Sequence, residues 1–112
     1  MVRQSIRFCS APDRTRIAIA STGAGPPLVR AAHWLSHVEH DEHSPVWRPW
    51  LEALSRRHTY IRYDQRGCGL SDADVHDFSL DAWIGDLEAV VDHQRLDRFP
   101  LIGMSQGGAV AI

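Results

Sequence analysis

The sequence contains only two cysteines, Cys9 and Cys68, among its 112 residues. Two thiols so far apart form neither a disulfide framework nor the closely spaced pairs that bind zinc. We therefore expect both to be free thiols, as is typical of a cytoplasmic protein. The N-terminus, MVRQSIRFCSAPDRTR, also lacks the apolar core of a secretory signal peptide.

A strong charge of one sign and long hydrophobic runs are also absent. The formal net charge is −2, so the chain lacks the basic surface with which proteins bind nucleic acid or anionic membranes. No stretch approaches the roughly 20 apolar residues that a membrane-spanning helix needs. No repeat, low-complexity tract or linker divides the sequence. Its 44% hydrophobic and 23% charged content is that of an ordinary globular domain.

Alternating apolar and polar residues at the start of the chain predict an antiparallel β-hairpin over residues 5–21. Its strands are SIRFCS and TRIAIAST, and the residues Ala-Pro-Asp between them favour a turn. After the turn cluster GAGPP, the short apolar run LVRAA predicts a third strand. The polar region from His33 to Pro45 is interpreted as a loop.

Helices and strands alternate in the rest of the chain. The segment PWLEALSRR predicts a helix, since Pro49 suits a first turn, and TYIRY predicts a strand because of its β-branched and aromatic residues. Ser79 is expected to cap a second helix, whose apolar residues recur at helical spacing. These residues are Leu80, Trp83, Ile84, Leu87, Val90 and Val91.

The segment FPLIG predicts a short buried strand, and a last helix is expected from Gln106 onward. The order of elements is therefore β-β-β-α-β-α-β-α. Such an order predicts an α/β fold, in which a mostly parallel sheet with an N-terminal antiparallel hairpin is covered on both faces.

The motif Gly-Met-Ser-Gln-Gly places Ser105 between a predicted strand and a predicted helix. Gly103 and Gly107 would let the strand turn sharply into the helix and expose Ser105 at the carboxyl end of the sheet. A serine there is a candidate nucleophile, and the backbone N–H of Gln106 would stabilise an oxyanion on a bound carbonyl. The competing interpretation is a structural turn with an incidental serine, but the strand–turn–helix context favours the nucleophile.

A second motif lies in YIRYDQRGCGLSD. Together with GMSQGG it resembles the N-terminal half of the α/β-hydrolase fold family, in the subgroup of lactonases, esterases and cofactor-free haloperoxidases. The family pattern Y-D-x-R-G-x-G-x-S matches at Tyr63, Asp64, Arg66, Gly67, Gly69 and Ser71. We expect these residues to shape the site without doing chemistry. Gly67 and Gly69 permit unusual backbone angles, while Asp64 and Arg66 can tie the loop to the strand end.

The resemblance implies a serine hydrolase that cleaves an ester, lactone or amide through an acyl-enzyme. A small-molecule carbonyl compound would be its substrate, and no cofactor or metal is implied. A second oxyanion N–H is implied after the third strand, where Trp34 is the expected donor. The family's His-Gly pair is replaced here by Ala32-His33, so Leu35 is the donor if the alignment shifts by one residue. Serine at position 105, in place of aspartate, argues against epoxide hydrolase or dehalogenase chemistry.

In this family the acid and the histidine of the triad follow the nucleophile. Residues 106–112 contain neither. We therefore expect residues 1–112 to be the N-terminal portion of a single domain, truncated after the nucleophile elbow and inactive by itself. An upstream histidine such as His33 would need a rebuilt loop to serve as the base. The alternative hypothesis is a non-catalytic, ligand-sensing domain fused to a signalling module or transcriptional regulator, as sequences similar to this one can be.

A histidine-rich stretch, HWLSHVEHDEH, contains His33, His37, His40 and His43 beside three acidic residues. Imidazole with carboxylate would suit zinc. The lack of a second pair of ligands favours a solvated loop or a pocket rim, and we expect no metal.

Overall fold

The computed structural model describes residues 4–32, 37–103 and 106–112. Its elements are β1 (Gln4–Ser10), β2 (Arg16–Thr22), β3 (Pro27–Arg30), α1 (Val38–Asp41), α2 (Arg48–Ser55), β4 (Thr59–Tyr63), α3 (Leu80–His93), β5 (Leu101–Ile102) and α4 (Gln106–Ala111). This is the predicted order with one helix added. The added helix, α1, lies within the segment from His33 to Pro45, which was predicted to be a loop. That prediction is therefore wrong in part.

The sheet has the strand order β1-β2-β4-β3-β5. Strand β2 pairs antiparallel with β1, from Gln4 opposite Thr22 to Ser10 opposite Arg16, and pairs antiparallel with β4 on its other side. Strand β3 lies parallel to both β4 and β5. The predicted α/β fold, with a parallel sheet and an N-terminal antiparallel hairpin, is confirmed.

Alternation along the strands supplies an apolar layer on each face of the sheet. Ile61 and Val29 belong to a core cluster that includes residues of α3 and α4. Leu28 and Tyr60 pack with Leu51 of α2 on the other face. Because side chains alternate between the faces of a strand, a few short strands can hold helices on both faces.

Helices α2 and α3 begin where the local sequence favours a start. The Ser79 hydroxyl accepts the Ala82 N–H at 3.2 Å and caps α3, as predicted. Pro49 lies in the first turn of α2. In α1, the Nδ1 atom of His37 accepts the His40 N–H at 3.2 Å. Within the described ranges, no helix is both long enough and apolar enough to cross a bilayer.

Cys9 is a half-buried free thiol on β1. Burial, with a smaller contribution from the nearby Asp86 carboxylate, raises the pKa of Cys9 to about 11. We therefore expect Cys9 to react with iodoacetamide at pH 8 at least about tenfold more slowly than an unfolded peptide thiol, because the thiolate is the reactive form. Intact-mass kinetics on a Cys68→Ser variant isolate this residue. The same variant in urea is the control, and equal rates in the two states would contradict the expectation.

Candidate active site

The carboxyl ends of three parallel strands, β3, β4 and β5, meet at one edge of the sheet. Ala31 and Ala32 follow β3, Asp64 follows β4 and Gly103 follows β5. Helix α4 begins close by, at Gln106. In open α/β sheets, ligands bind at this edge. The candidate active site is therefore the region where these strand ends meet the start of α4.

Several predicted site residues fall outside the described part of the chain. They are the candidate nucleophile Ser105, the two candidate oxyanion donors Trp34 and Leu35, and the upstream histidine His33. Their roles stay predictions. Gln106, the other expected oxyanion donor, is the first residue of α4.

Gly103 and Gly107 lie where backbones approach closely. A Cβ atom on Gly103 would lie 2.8 Å from the Cα of Gly108. A Cβ atom on Gly107 would lie 2.8 Å from the Ala31 carbonyl oxygen and 3.0 Å from that of Ala32. Since these neighbours are backbone atoms, a side chain at either position would push α4 away. The two glycines thus allow the first turn of α4 to pack against the ends of β3 and β5.

Asp64 is fully buried and joins two segments. One carboxylate oxygen accepts the Val38 N–H at 2.9 Å, and the other accepts the Leu70 N–H at 2.8 Å. Gly69 has a positive φ of 51°, and a Cβ atom there would overlap the Asp64 carboxylate. Glycine therefore lets the loop after β4 fold over Asp64. The carboxylate ties this loop to the start of α1.

Arg66 is 1% exposed and holds the same loop to other elements. Its Nε and Nη2 atoms donate to the two carboxylate oxygens of Asp86 at 2.8 and 2.7 Å. Its Nη1 atom donates to Asp13 at 2.7 Å and to the Asp77 carbonyl at 2.9 Å. Gly67, with a φ of 79°, follows directly. Arg66 therefore joins the hairpin turn, the loop and α3.

The two carboxyl groups bonded to Arg66 have pKa values that are shifted in opposite directions. Burial raises the pKa of Asp86, although the Arg66 hydrogen bonds oppose that shift. The Arg66 hydrogen bonds hold the pKa of the Asp13 carboxyl well below its usual range. The buried bidentate pair between Arg66 and Asp86 thus depends on its hydrogen bonds to offset the cost of burying two charges.

A buried polar cluster beneath α1 was not predicted from the sequence. Arg30 and Arg62 each place a guanidinium nitrogen 3.7 Å from Asp41. Arg62 also donates to the Val38 carbonyl and contacts the side-chain oxygen of Gln4. Burial, with the neighbouring Arg30 charge, lowers the pKa of Arg62. The available signal was a charged residue inside each of the predicted strands LVRAA and TYIRY, since buried strands rarely carry arginine.

The described histidines do not form a metal centre. The His37 and His40 rings lie 4.1 Å apart, edge to face, at the start of α1. No group of three histidine, cysteine or acidic side chains within the described ranges could hold a metal ion.

Comparison with known proteins adds a family. The family described as alpha/beta hydrolase fold matches residues 36–112. A pimeloyl-[acyl-carrier protein] methyl ester esterase of Nitrosomonas europaea is 34% identical over 96 residues, which cover 86% of this chain and 34% of the relative. A soluble epoxide hydrolase of a Corynebacterium species is 32% identical over 97 residues, covering 86% of this chain and 32% of the relative.

A solved structure gives the same result in three dimensions. The esterase RhEst1 from a Rhodococcus species superposes with a TM-score of 0.79 and 32% identity, covering 96% of this chain and 38% of that one. The chain spans about a third of the length of the two curated relatives named above.

Proposed function

This chain belongs to the alpha/beta hydrolase fold family, and on that premise we propose that it carries the nucleophile of a serine hydrolase. Its substrate would be a small molecule with an ester, lactone or amide carbonyl. The observation that carries the proposal is the close packing at Gly103 and Gly107, which brings the first turn of α4 against the residues that follow β3 and β5. A nucleophile elbow needs a strand and a helix packed this closely on either side of the serine.

The proposed reaction begins with attack of the Ser105 oxygen on the carbonyl carbon, while a base takes the hydroxyl proton. The carbonyl oxygen becomes an oxyanion, which accepts hydrogen bonds from the N–H groups of Gln106 and Trp34, or Leu35 in place of Trp34. Collapse of this intermediate breaks the bond to the leaving group, which takes up the proton, and leaves an acyl-enzyme. Water then releases the acid and restores the serine.

The base and the acid of the triad have no candidate after Ser105 in this sequence. The match covers about a third of the length of these relatives. We assign the base and the acid to the remaining two thirds. By this proposal residues 1–112 alone are inactive, and activity belongs to a complete domain.

The identity of the nucleophile narrows the reaction class. The relatives include an esterase and an epoxide hydrolase. Opening an epoxide in this family uses a carboxylate nucleophile, whereas a serine forms an acyl-enzyme from a carbonyl compound. Serine at position 105 therefore favours the ester, lactone or amide class.

A fluorophosphonate probe tests the proposal, because it forms a covalent adduct only with an activated serine. We expect one adduct per complete protein, and tandem mass spectrometry should place it on Ser105. Heat-denatured protein is the control, since an unfolded serine has no base beside it. An adduct on another serine, or none, would overturn the assignment.

A further inference from the structure

We infer that Asp64 and Arg62 are positioning residues: they fix the start of α1, where the connection that carries the proposed second oxyanion donor ends. They hold both polar atoms of one peptide residue, Val38, at the end of that connection. The inference deepens the proposed function and rests on it.

The polar backbone atoms of Val38 have an unusual set of partners. Its N–H donates to Asp64 at 2.9 Å. Its carbonyl oxygen accepts from the Gln4 amide at 2.9 Å and from both terminal nitrogens of Arg62 at 3.2 Å. Hydrogen bonds to ionised groups are stronger than those between neutral groups. One residue is thus fixed by side chains from β1, from β4 and from the loop after β4.

The Val38 side chain is fixed as well. It is fully buried and packs in a small cluster with Ala18 and Ala20 of β2. A side chain that is enclosed in this way cannot rotate or slide along the sheet without losing its contacts. Polar and apolar contacts therefore set the same position for the start of α1.

The other end of the connection is also held. The Ala31 N–H donates to the Ile102 carbonyl at 2.8 Å. Gly107 lies against the carbonyl groups of Ala31 and Ala32. Only residues 33–37 separate these two anchored ends in the sequence. Catalytic groups need support to within about half an ångström, and the bonds to Val38 would provide it for an oxyanion donor in this connection.

Asp64 has a further consequence, because it binds two segments at once. Its second oxygen accepts the Leu70 N–H. Replacing the carboxylate by an amide keeps its size but leaves only one oxygen acceptor. An N–H of Val38 or Leu70 would then face an NH₂ group, which cannot accept it. The variant Asp64→Asn should therefore release one of the two segments with little change in volume.

The test compares Asp64→Asn with Asp86→Asn in the complete protein. We expect Asp64→Asn to lower kcat for an ester about tenfold with little change in KM, because the oxyanion donor is displaced rather than removed. Binding of a trifluoromethyl ketone, whose adduct places an oxyanion in the same position, should weaken by a similar factor. Asp86→Asn makes the same exchange at a buried carboxylate that faces Arg66. It should lower the melting temperature but leave kcat of the folded protein unchanged.

The outcomes separate the two proposals. Wild-type kcat and ketone affinity in Asp64→Asn would overturn the positioning role while Ser105 labelling persists. The positioning role would also be overturned if kcat fell in both variants in proportion to the fall in their melting temperatures. A wild-type protein without Ser105 labelling would overturn the proposed function, and this inference with it. If Asp64→Asn does not fold, Arg62→Lys replaces the two guanidinium donors to the Val38 carbonyl by one ammonium group. A kcat about threefold lower would support the role, and an unchanged kcat would overturn it.

Discussion

Replacing Ser105 by alanine in the complete protein should lower kcat for ester hydrolysis by about 10⁴-fold or more. The substitution removes the attacking oxygen, so no acyl-enzyme can form. Rate enhancement from substrate binding and from the N–H groups of the oxyanion hole should remain, so a small residual rate above that in water is expected. The measurement is kcat and KM with a chromogenic ester, together with the melting temperature of each variant.

The matched control is Ser79→Ala, the same exchange at the cap of α3. It removes the hydrogen bond to the Ala82 N–H and should cost about 1 kcal/mol of stability. Its kcat should equal that of the wild type, because the hydroxyl that is removed bonds to the Ala82 N–H within α3 itself. If Ser105→Ala kept more than a few per cent of the wild-type kcat, the serine would not be the nucleophile.

Replacing Arg66 by alanine should lower the free energy of unfolding by about 3–5 kcal/mol, the usual effect of removing one partner of a buried ion pair. The variant leaves the Asp86 carboxylate, which is 1% exposed, without its cation. It also removes the bonds to Asp13 and to the Asp77 carbonyl. Urea denaturation of the complete protein gives the difference.

Two further variants make this result specific. Arg48→Ala removes an exposed arginine paired with Glu52 one turn along α2, and it should cost no more than about 0.5 kcal/mol. The double variant Arg66→Met with Asp86→Leu should recover part of the loss, because no buried charge is left unpaired. A loss below about 1 kcal/mol in Arg66→Ala would show that the pair is not buried in solution.

The elements that the sequence predicts well are those whose signals are local. The hairpin was expected over residues 5–21, and its strands are Gln4–Ser10 and Arg16–Thr22. The cap and the apolar stripe of α3 lie within the helix itself or directly before it. The expected strand FPLIG is shorter in the structure, where β5 is Leu101–Ile102.

Helix α1 could not be predicted in this way. It has four residues, and its start depends on bonds from Asp64 and Arg62, which lie 26 and 24 positions from Val38. No hydrophobic period develops over so short a segment. Distant side chains thus stabilise a turn whose own sequence indicates a polar loop.

The motifs predict which residues gather at the site but not their partners. Arg66 was expected at the loop, whereas its bonds to Asp86 and Asp13 span 20 and 53 positions. Arg30 and Arg62 are buried within strands, although buried strands are usually apolar. A hydropathy pattern would therefore place both side chains at the surface. Their environment depends on Asp41, which belongs to the helix that the sequence did not reveal.

The Ser71 hydroxyl acts as a surrogate peptide group. Its O–H donates to the Asp64 carbonyl at 2.7 Å, and its oxygen accepts the Ala18 N–H at 2.9 Å. The Ala18 carbonyl accepts the Asp64 N–H at 3.0 Å. The N–H and carbonyl groups of Ala18 in β2 therefore remain hydrogen-bonded beyond the point where β4 ends. This allows the chain to turn away from the sheet immediately after Asp64 without leaving a buried N–H of β2 unpaired.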